Sequence, residues 1–150
     1  TSGAVVNRGR IEQQGEIDEI FFRPESPFMA SFVGMKNILS VSFTNGEAVT
    51  DEGMVISLNE EPPAGRGHIA VSPDSIALSV GFGEELSSIR NRFTGTAAEI
   101  SRDGYGFLVG VECCGHILYS SITPASLELL KLREGMEVSL SWKASSVHVF

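Results

Sequence analysis

The sequence is short of cations and of long apolar runs, and each shortage excludes a class of protein. It contains 11 lysines and arginines against 19 aspartates and glutamates, which gives a formal net charge of -8. Binding to a nucleic-acid backbone requires a basic face that displaces counterions, so no nucleic-acid partner is expected. No window approaches the roughly 20 apolar residues that span a bilayer, and the N-terminus has no secretory apolar region. We therefore expect a cytoplasmic protein.

The sequence also has few cysteines and histidines and lacks the common catalytic motifs. There is no Gly-rich phosphate loop of ATPases, no nucleophile elbow, no HExxH helix and no CxxC pair. Cys113, Cys114 and His116 could serve as a nucleophile with its base or as metal ligands, but no carboxylate is obviously placed to orient His116. We interpret them, with His68 and His148, as ordinary strand residues, and the cysteines as free thiols. No catalytic residue and no metal are expected.

The chain does contain a helical beginning and a β-rich remainder. Of its 150 residues 42% are hydrophobic, which is enough for a buried core. The segment GEIDEIFFRPESPFMASFV predicts a short helix over 17–22, a break at its prolines and a second helical stretch to Val33. After residue 34, short apolar runs alternate with turns, among them the hairpin signal Asn45-Gly46.

The second half predicts more strands, at the regular spacing of a small barrel, and one helix. That helix begins at Thr123 with Pro124 in its first turn. A last strand carries Trp142 and Lys143. The expected fold class is mainly β: an OB-like barrel with one short helix in its second half, preceded by a short helical N-terminal segment.

Several short clusters of hydrogen-bond donors lie in the second half with little acid near them. They are Ser88, Arg90 and Asn91; Thr123 and Ser126; Lys143; and Ser145 and Ser146. Each alone is explained by an ordinary surface charge, a helix cap or the polar face of a strand. Together they suit a small tetrahedral dianion, which is best held by cations, hydroxyls, backbone N–H groups and a helix N-terminus.

The clusters also follow one another in a specific order. The order is Ser88-Ile89-Arg90-Asn91, then Phe93-Thr94-Gly95, then Thr123-Pro124-Ala125-Ser126, then Lys143-Ala144-Ser145-Ser146-Val147. This order resembles the molbindin-type oxyanion-binding module, the TOBE fold, over Ser87 to Phe150. The resemblance implies molybdate or tungstate as ligand and no cofactor. The implied site residues are Ser88, Ile89, Arg90, Asn91, Thr123, Ser126, Lys143, Ala144 and Ser145.

The first half carries the runs NRGRIEQQG, EIFFRP and FVGMKNIL. From Val5 to Leu39 it resembles the segment that ends the nucleotide-binding domain of ABC importer ATPases and leads into their regulatory domain. Ser72 stands where that family usually has arginine. The resemblance divides the chain into 1–36, the tail of the ATPase domain and a helical linker; 37–86, a first β subdomain; and 87–150, the oxyanion-binding subdomain.

Together the two resemblances imply the regulatory part of the ATP-binding subunit of a molybdate or tungstate importer. Its ATP site would lie upstream, so the chain itself is expected not to hydrolyse ATP. The implied function is to sense cytoplasmic oxyanion at a homodimer interface and to inhibit transport, with Thr123 and Ser126 supplied by the partner subunit. The parent ATPase would bind a membrane permease at the inner face of the cell membrane.

Two alternatives stay open. One is a docking module of a related importer, for example one for sugars, with no anion site. The other is a cysteine-dependent enzyme that uses Cys113 or Cys114 with His116.

Overall fold

The structure is a computed structural model and describes residues 1–62, 64–81 and 89–150. The strands within these ranges are β1 (Ser2–Asn7), β2 (Arg10–Glu16), β3 (Asn37–Thr44), β4 (Glu47–Thr50), β5 (Val55–Ser57), β6 (Gly65–Val71), β7 (Ala77–Ser79), β8 (Asn91–Asp103), β9 (Gly106–Cys113), β10 (His116–Ile122), β11 (Glu137–Trp142) and β12 (His148–Val149). The helices are α1 (Ile17–Phe22), α2 (Pro27–Phe32) and α3 (Pro124–Leu129), and 3-10 turns occupy Pro73–Ser75 and Ala144–Ser146. None of the helices in the described ranges is long and apolar enough to cross a membrane.

The N-terminal segment is a hairpin followed by two short helices. β1 and β2 pair antiparallel, and α1 follows directly. α2 begins after Ser26, whose side chain accepts a hydrogen bond from the Met29 backbone N–H at 3.1 Å, and Pro27 takes its first position. Both predicted helices of this region are confirmed.

The remaining strands form two antiparallel sheets of five strands each. The first sheet has the order β12-β6-β3-β4-β5 and the second the order β10-β9-β8-β11-β7. The turn between β3 and β4 has φ of 53° at Asn45 and 74° at Gly46, the left-handed pair that a tight hairpin requires. The prediction of a mainly β fold is confirmed.

Each sheet receives one short strand from the other half of the chain. After β6 the turn Pro73–Ser75 leads into β7, where Leu78 pairs with Leu140 of the second sheet. After β11 the turn Ala144–Ser146 leads into β12, where Val149 pairs with Ile69 of the first sheet. The sequence predicts one continuous last strand through Lys143, and this is wrong because the chain turns after Trp142 and changes sheets.

The two sheets enclose one hydrophobic core. β3 alternates between more and less buried positions along its length, as a strand with one face on the core does. The fully buried side chains include Val41, Ile56 and Ile69 from the first sheet and Val109, Leu118 and Leu140 from the second. The predicted division between 37–86 and 87–150 stays a prediction, and both crossing strands pass this boundary.

Candidate functional site

Arg90 and Lys143 lie next to each other because β8 and β11 are paired. Asn91 stands opposite Trp142 in the antiparallel register. The residue before Asn91 is Arg90 and the residue after Trp142 is Lys143, so the pairing sets two exposed cations side by side. The 3-10 turn Ala144–Ser146 follows at once, which keeps Ser145 at the same end of the sheet.

Arg90 also contacts the first sheet. Its Nη2 donates a hydrogen bond of 2.8 Å to the backbone carbonyl of Leu58. A guanidinium presents several N–H donors in a planar fork, and this bond uses one of them. This bond orients the side chain, and within 1–62, 64–81 and 89–150 no other hydrogen bond takes up its remaining donors. Ile89 is half-buried, and Ser88 lies outside the described residues.

Asn91 holds the two sheets together. Its side chain is 1% exposed. Its Oδ1 accepts from the Ser57 backbone N–H at 2.8 Å, and its Nδ2 donates to the Ser57 carbonyl at 3.1 Å. The amide thus pairs with the backbone of Ser57 as a neighbouring strand would, and it fixes the start of β8. Its predicted role as an oxyanion ligand stays a prediction.

Asn37 makes the same contact at the opposite end of the fold, and sequence reasoning missed it. Its Oδ1 accepts from the Tyr119 backbone N–H at 2.6 Å and its Nδ2 donates to the Tyr119 carbonyl at 2.8 Å. The available signal was the repeated pattern of a basic residue and asparagine before a strand, Lys36-Asn37 and Arg90-Asn91. We name these two amide contacts the asparagine clamps.

Thr123 and Ser126 lie at the other end of the second sheet. Thr123 caps α3 as predicted, because its Oγ1 accepts from the Ser126 backbone N–H at 3.1 Å. It follows Ile122, which pairs with Phe107, beside the turn that ends β8. β8 has 13 residues and a strand of that length extends about 40 Å when straight. Within one chain these hydroxyls are therefore remote from Arg90.

The structure thus divides the predicted site residues between the two ends of β8. Arg90, Asn91, Lys143, Ala144 and Ser145 share one end. Ala144 is buried, and its neighbours Lys143 and Ser145 are exposed. A single chain therefore offers Arg90, Lys143 and the Ser145 hydroxyl at this end, while the Asn91 amide is already bonded to the Ser57 backbone.

A cleft of about 380 Å³ adjoins this cluster at Ser145. It is lined by Arg23, Asn59, Glu60, Ser145, Val147, His148 and Val149. Partial burial lowers the pKa of His148 from its ordinary value, so its imidazole is neutral at pH 7. Sequence reasoning did not place Arg23, from the N-terminal segment, or Asn59 and Glu60 at this end of the fold.

The cysteines give little support to an enzyme. Burial and the hydrogen bond to Cys114 raise the pKa of the Cys113 thiol to about 12, whereas a nucleophilic cysteine needs a lowered pKa. The expectation that no carboxylate orients His116 is wrong, because Glu52 Oε2 lies 2.8 Å from His116 Nε2, an ion-pair distance without hydrogen-bond alignment. In 1–62, 64–81 and 89–150 no group of three His, Cys, Asp or Glu side chains is arranged to hold a metal.

Comparisons with known sequences find a family model that matches the second half of the chain. The family model described as the TOBE domain matches residues 87–149. Over 147 residues the chain is 33% identical to the molybdate/tungstate import ATP-binding protein WtpC of Pyrococcus horikoshii, which covers 97% of this chain and 41% of that protein. It is also 38% identical over 102 residues to the spermidine/putrescine import ATP-binding protein PotA of Trichormus variabilis, covering 61% of this chain and 26% of that protein. The chain thus spans less than half the length of these relatives.

A solved structure has the same fold. The crystal structure of the cytoplasmic molybdate-binding protein ModG, in a form with molybdate bound, superposes with a TM-score of 0.67 at 20% sequence identity. The superposition covers 76% of this chain and 94% of the ModG chain. It confirms the molbindin-type β fold that the sequence predicts.

Proposed function

We propose that this chain, whose residues 87–149 match the TOBE domain model, is the oxyanion-sensing regulatory region of a molybdate or tungstate importer ATPase. The similarity to WtpC extends over 97% of the chain and supports that assignment. In this role the chain binds the oxyanion on the cytoplasmic side, and the bound anion inhibits transport. The ATP-hydrolysing part and the contacts with a membrane permease belong to the parent protein.

The observation that carries the proposal is the pairing of β8 with β11. It sets Arg90 beside Lys143 and leads directly into the turn that holds Ser145. Two adjacent cations repel each other unless an anion lies between them, and a tetrahedral dianion offsets both charges while accepting hydrogen bonds from the hydroxyl and the amides around it. The overall charge of -8 does not oppose this, because surface charges beyond about 10 Å are screened at ordinary ionic strength.

A second subunit would complete the site. Thr123 and Ser126 stand at the far end of β8 within one chain, so they reach the Arg90 cluster only from another copy. There the cap of α3 would supply a hydroxyl and backbone N–H groups to the anion. We therefore propose a homodimer in which each anion lies between Arg90 of one protomer and Thr123 of the partner subunit.

Inhibition follows from linkage. An anion whose ligands come from two subunits binds the paired arrangement better than the separated one, and it stabilises pairing by that difference in affinity. When the cytoplasmic oxyanion is plentiful, the paired regulatory regions hold the two ATPase subunits in one state, and transport stops.

Anion titration of this chain tests the proposal. Trp142, the single tryptophan, is buried, stacks on Phe93 at 5.2 Å between ring centroids and precedes Lys143, so its fluorescence reports on the site. We expect molybdate and tungstate to change the emission at micromolar concentrations and to release heat in calorimetry, with sulfate far weaker because it is smaller. If neither molybdate nor tungstate gives a signal in either measurement, the anion-binding role is wrong.

A docking module without an anion site is the second candidate. The similarity to PotA favours it, because that relative is a polyamine importer protein by name and still shares 38% identity over 102 residues. The same titration separates the two candidates, since a docking module predicts no response to any oxyanion.

A further inference from the structure

The cleft beside Ser145 brings the N-terminal segment to the predicted anion site. Among its lining residues, Arg23 comes from the end of α1, Asn59 from the loop after β5, and Ser145 from the turn after β11. Asn59 directly follows Leu58, whose carbonyl accepts the hydrogen bond from Arg90. The cleft therefore adjoins the predicted site at Ser145 and Asn59, and Arg90 and Lys143 lie outside its lining.

The backbone around Arg23 is fixed by a buried amide. Gln13 in β2 is 4% exposed. Its Nε2 donates to the Arg23 carbonyl at 3.1 Å, and its Oε1 accepts from the Glu25 N–H at 3.0 Å. Both hydrogen-bonding ends of Gln13 thus fix the chain on either side of Pro24, which is buried. These two bonds fix the backbone position from which the Arg23 side chain extends.

The Arg23 side chain itself is exposed. Among the residues that the structure describes, its guanidinium forms no ion pair. Glu60 lines the same cleft, and no bridge to Arg23 is formed. A guanidinium that lines a cleft and has no ion-pair partner among the described residues is suited to bind an anion.

We propose that Arg23 is a further oxyanion-binding residue, which closes the Ser145 side of the site and ties the bound anion to α1. The proposal rests on the proposed function, because it assumes that the anion binds at the Arg90 and Lys143 cluster. Glu60 opposes the anion across the cleft and sets a lower affinity than the cations alone would give. Neutral His148 adds a ring donor without adding charge.

The consequence is a physical link between the anion and the helical segment. Arg23 is the residue at which α1 ends, and its carbonyl is bonded to the β1–β2 hairpin through Gln13. An anion that engages Arg23 restrains the end of α1 against the β sheets. Binding then restrains the N-terminal segment. By its resemblance to importer ATPases, this segment connects the regulatory region to the ATPase domain.

Calorimetric titration with sodium tungstate tests the role of Arg23. We expect Arg23→Ala to weaken binding about tenfold, the effect of losing one charge-assisted hydrogen bond, and Arg23→Lys to retain part of the affinity. Glu60→Gln should strengthen binding severalfold. Arg10→Ala is the matched control, because it removes the same charge from an exposed position outside the cleft. Equal affinities of the Arg23→Ala and Arg10→Ala variants would overturn the proposal.

Hydrogen exchange provides a readout that a merely structural role would not move. Saturating tungstate should slow exchange of the backbone amides of 20–23 and 25 in the wild-type chain and in Arg10→Ala, and should leave them unchanged in Arg23→Ala. Protection of these amides in Arg23→Ala would contradict the link. If the wild-type chain binds no tungstate, the proposed function fails; if it binds and the Arg23 variants bind equally well, only this inference fails.

Discussion

Asn37 and Asn91 occupy equivalent places in the two sheets. Each stands at the start of a strand, and each bonds through both ends of its amide to one backbone residue of the other sheet, Tyr119 or Ser57. Each is preceded by a cation, Lys36 or Arg90. The two asparagine clamps therefore repeat the same arrangement, one at each end of the fold.

The side chains beside the two clamps differ. Asn37 pairs with Val71, which sets Lys36 next to Ser72 and before the turn that contains Asp74. The corresponding positions at the other end are Arg90, Lys143 and Ser145. The Lys36 ammonium instead lies over the Tyr119 ring, 5.8 Å from its centroid. The clamp itself occurs at both ends of the fold and therefore belongs to the scaffold. Among the described residues, two cations beside a turn that contains no acid are found only at the Asn91 end.

The largest expected effect is the loss of stability when either asparagine clamp is removed. Asn37→Ala and Asn91→Ala each leave a backbone N–H and a carbonyl without partners, so we expect each to lower the free energy of unfolding by about 3 kcal/mol. Urea denaturation measures this, with the exposed Asn59→Ala as a control that should change it by less than about 0.5 kcal/mol. A variant of either clamp that unfolds like the wild-type chain would show that its contact is not structural.

The next prediction tests whether only the Asn91 end of the fold binds an anion. Arg90→Ala removes a cation of the proposed anion site and should reduce tungstate affinity about a hundredfold, since a charge contact with a dianion contributes about 2.7 kcal/mol. Lys36→Ala, at the equivalent position of the other half, should leave the affinity within about twofold of the wild type. Calorimetry gives both values.

Thermal unfolding is the control for this pair of variants. Arg90 is exposed, so we expect Arg90→Ala to melt near the wild-type temperature and to keep the oligomeric state. A large loss of thermal stability would instead assign Arg90 a structural role through its bond to Leu58.

The prediction of the fold from sequence worked where the signal is local. The Asn45-Gly46 turn and the Thr123 cap each set backbone geometry within a few residues, and both appear as predicted. The predicted break at Pro27 is wrong, because Pro27 is the first residue of α2. That β7 and β12 cross to the other sheet was not predicted, because three and two residues carry too little pattern to indicate which sheet they join.

The candidate site was predicted in composition and only partly in placement. Arg90 and Lys143 meet because of a strand register that no local motif encodes. The same register puts Thr123 at the far end of β8. Glu52 beside His116 and Arg23 beside Ser145 depend on tertiary packing between segments distant in sequence, so the sequence pattern gave no indication of either.

The smallest expected effect distinguishes the two crossing strands by pH. His148 in β12 corresponds to Ala77 in β7, so one crossing strand titrates and the other does not. Burial lowers the pKa of His148, which means that the unfolded chain binds its proton more readily than the folded one. The contribution of neutral His148 to the free energy of unfolding is fully present above the unfolded pKa of about 6.5 and is lost as the pH falls below it.

Urea unfolding of the wild type and of His148→Gln at pH 7.5 and 5.5 measures this difference. We expect the wild type to lose more stability than the variant on acidification, by less than about 1 kcal/mol because the ring is only partly buried. Arg23 and Glu60 line the same cleft and are present in both proteins, so their effect cancels. Identical pH profiles would show that His148 does not contribute.

The exchange of β7 and β12 has a consequence for how much of this region can fold by itself. The segment that the TOBE family matches, 87–149, omits β7, which is an edge strand of the second sheet, and includes β12, which is an edge strand of the first. A gene fragment that encoded this segment alone would produce a sheet with an open edge beside β11 and an unpaired C-terminal strand, and each would seek a partner in another copy. The smallest segment that keeps both sheets fully paired therefore runs from β3 to β12. A shorter segment would leave edge strands that pair with those of another copy.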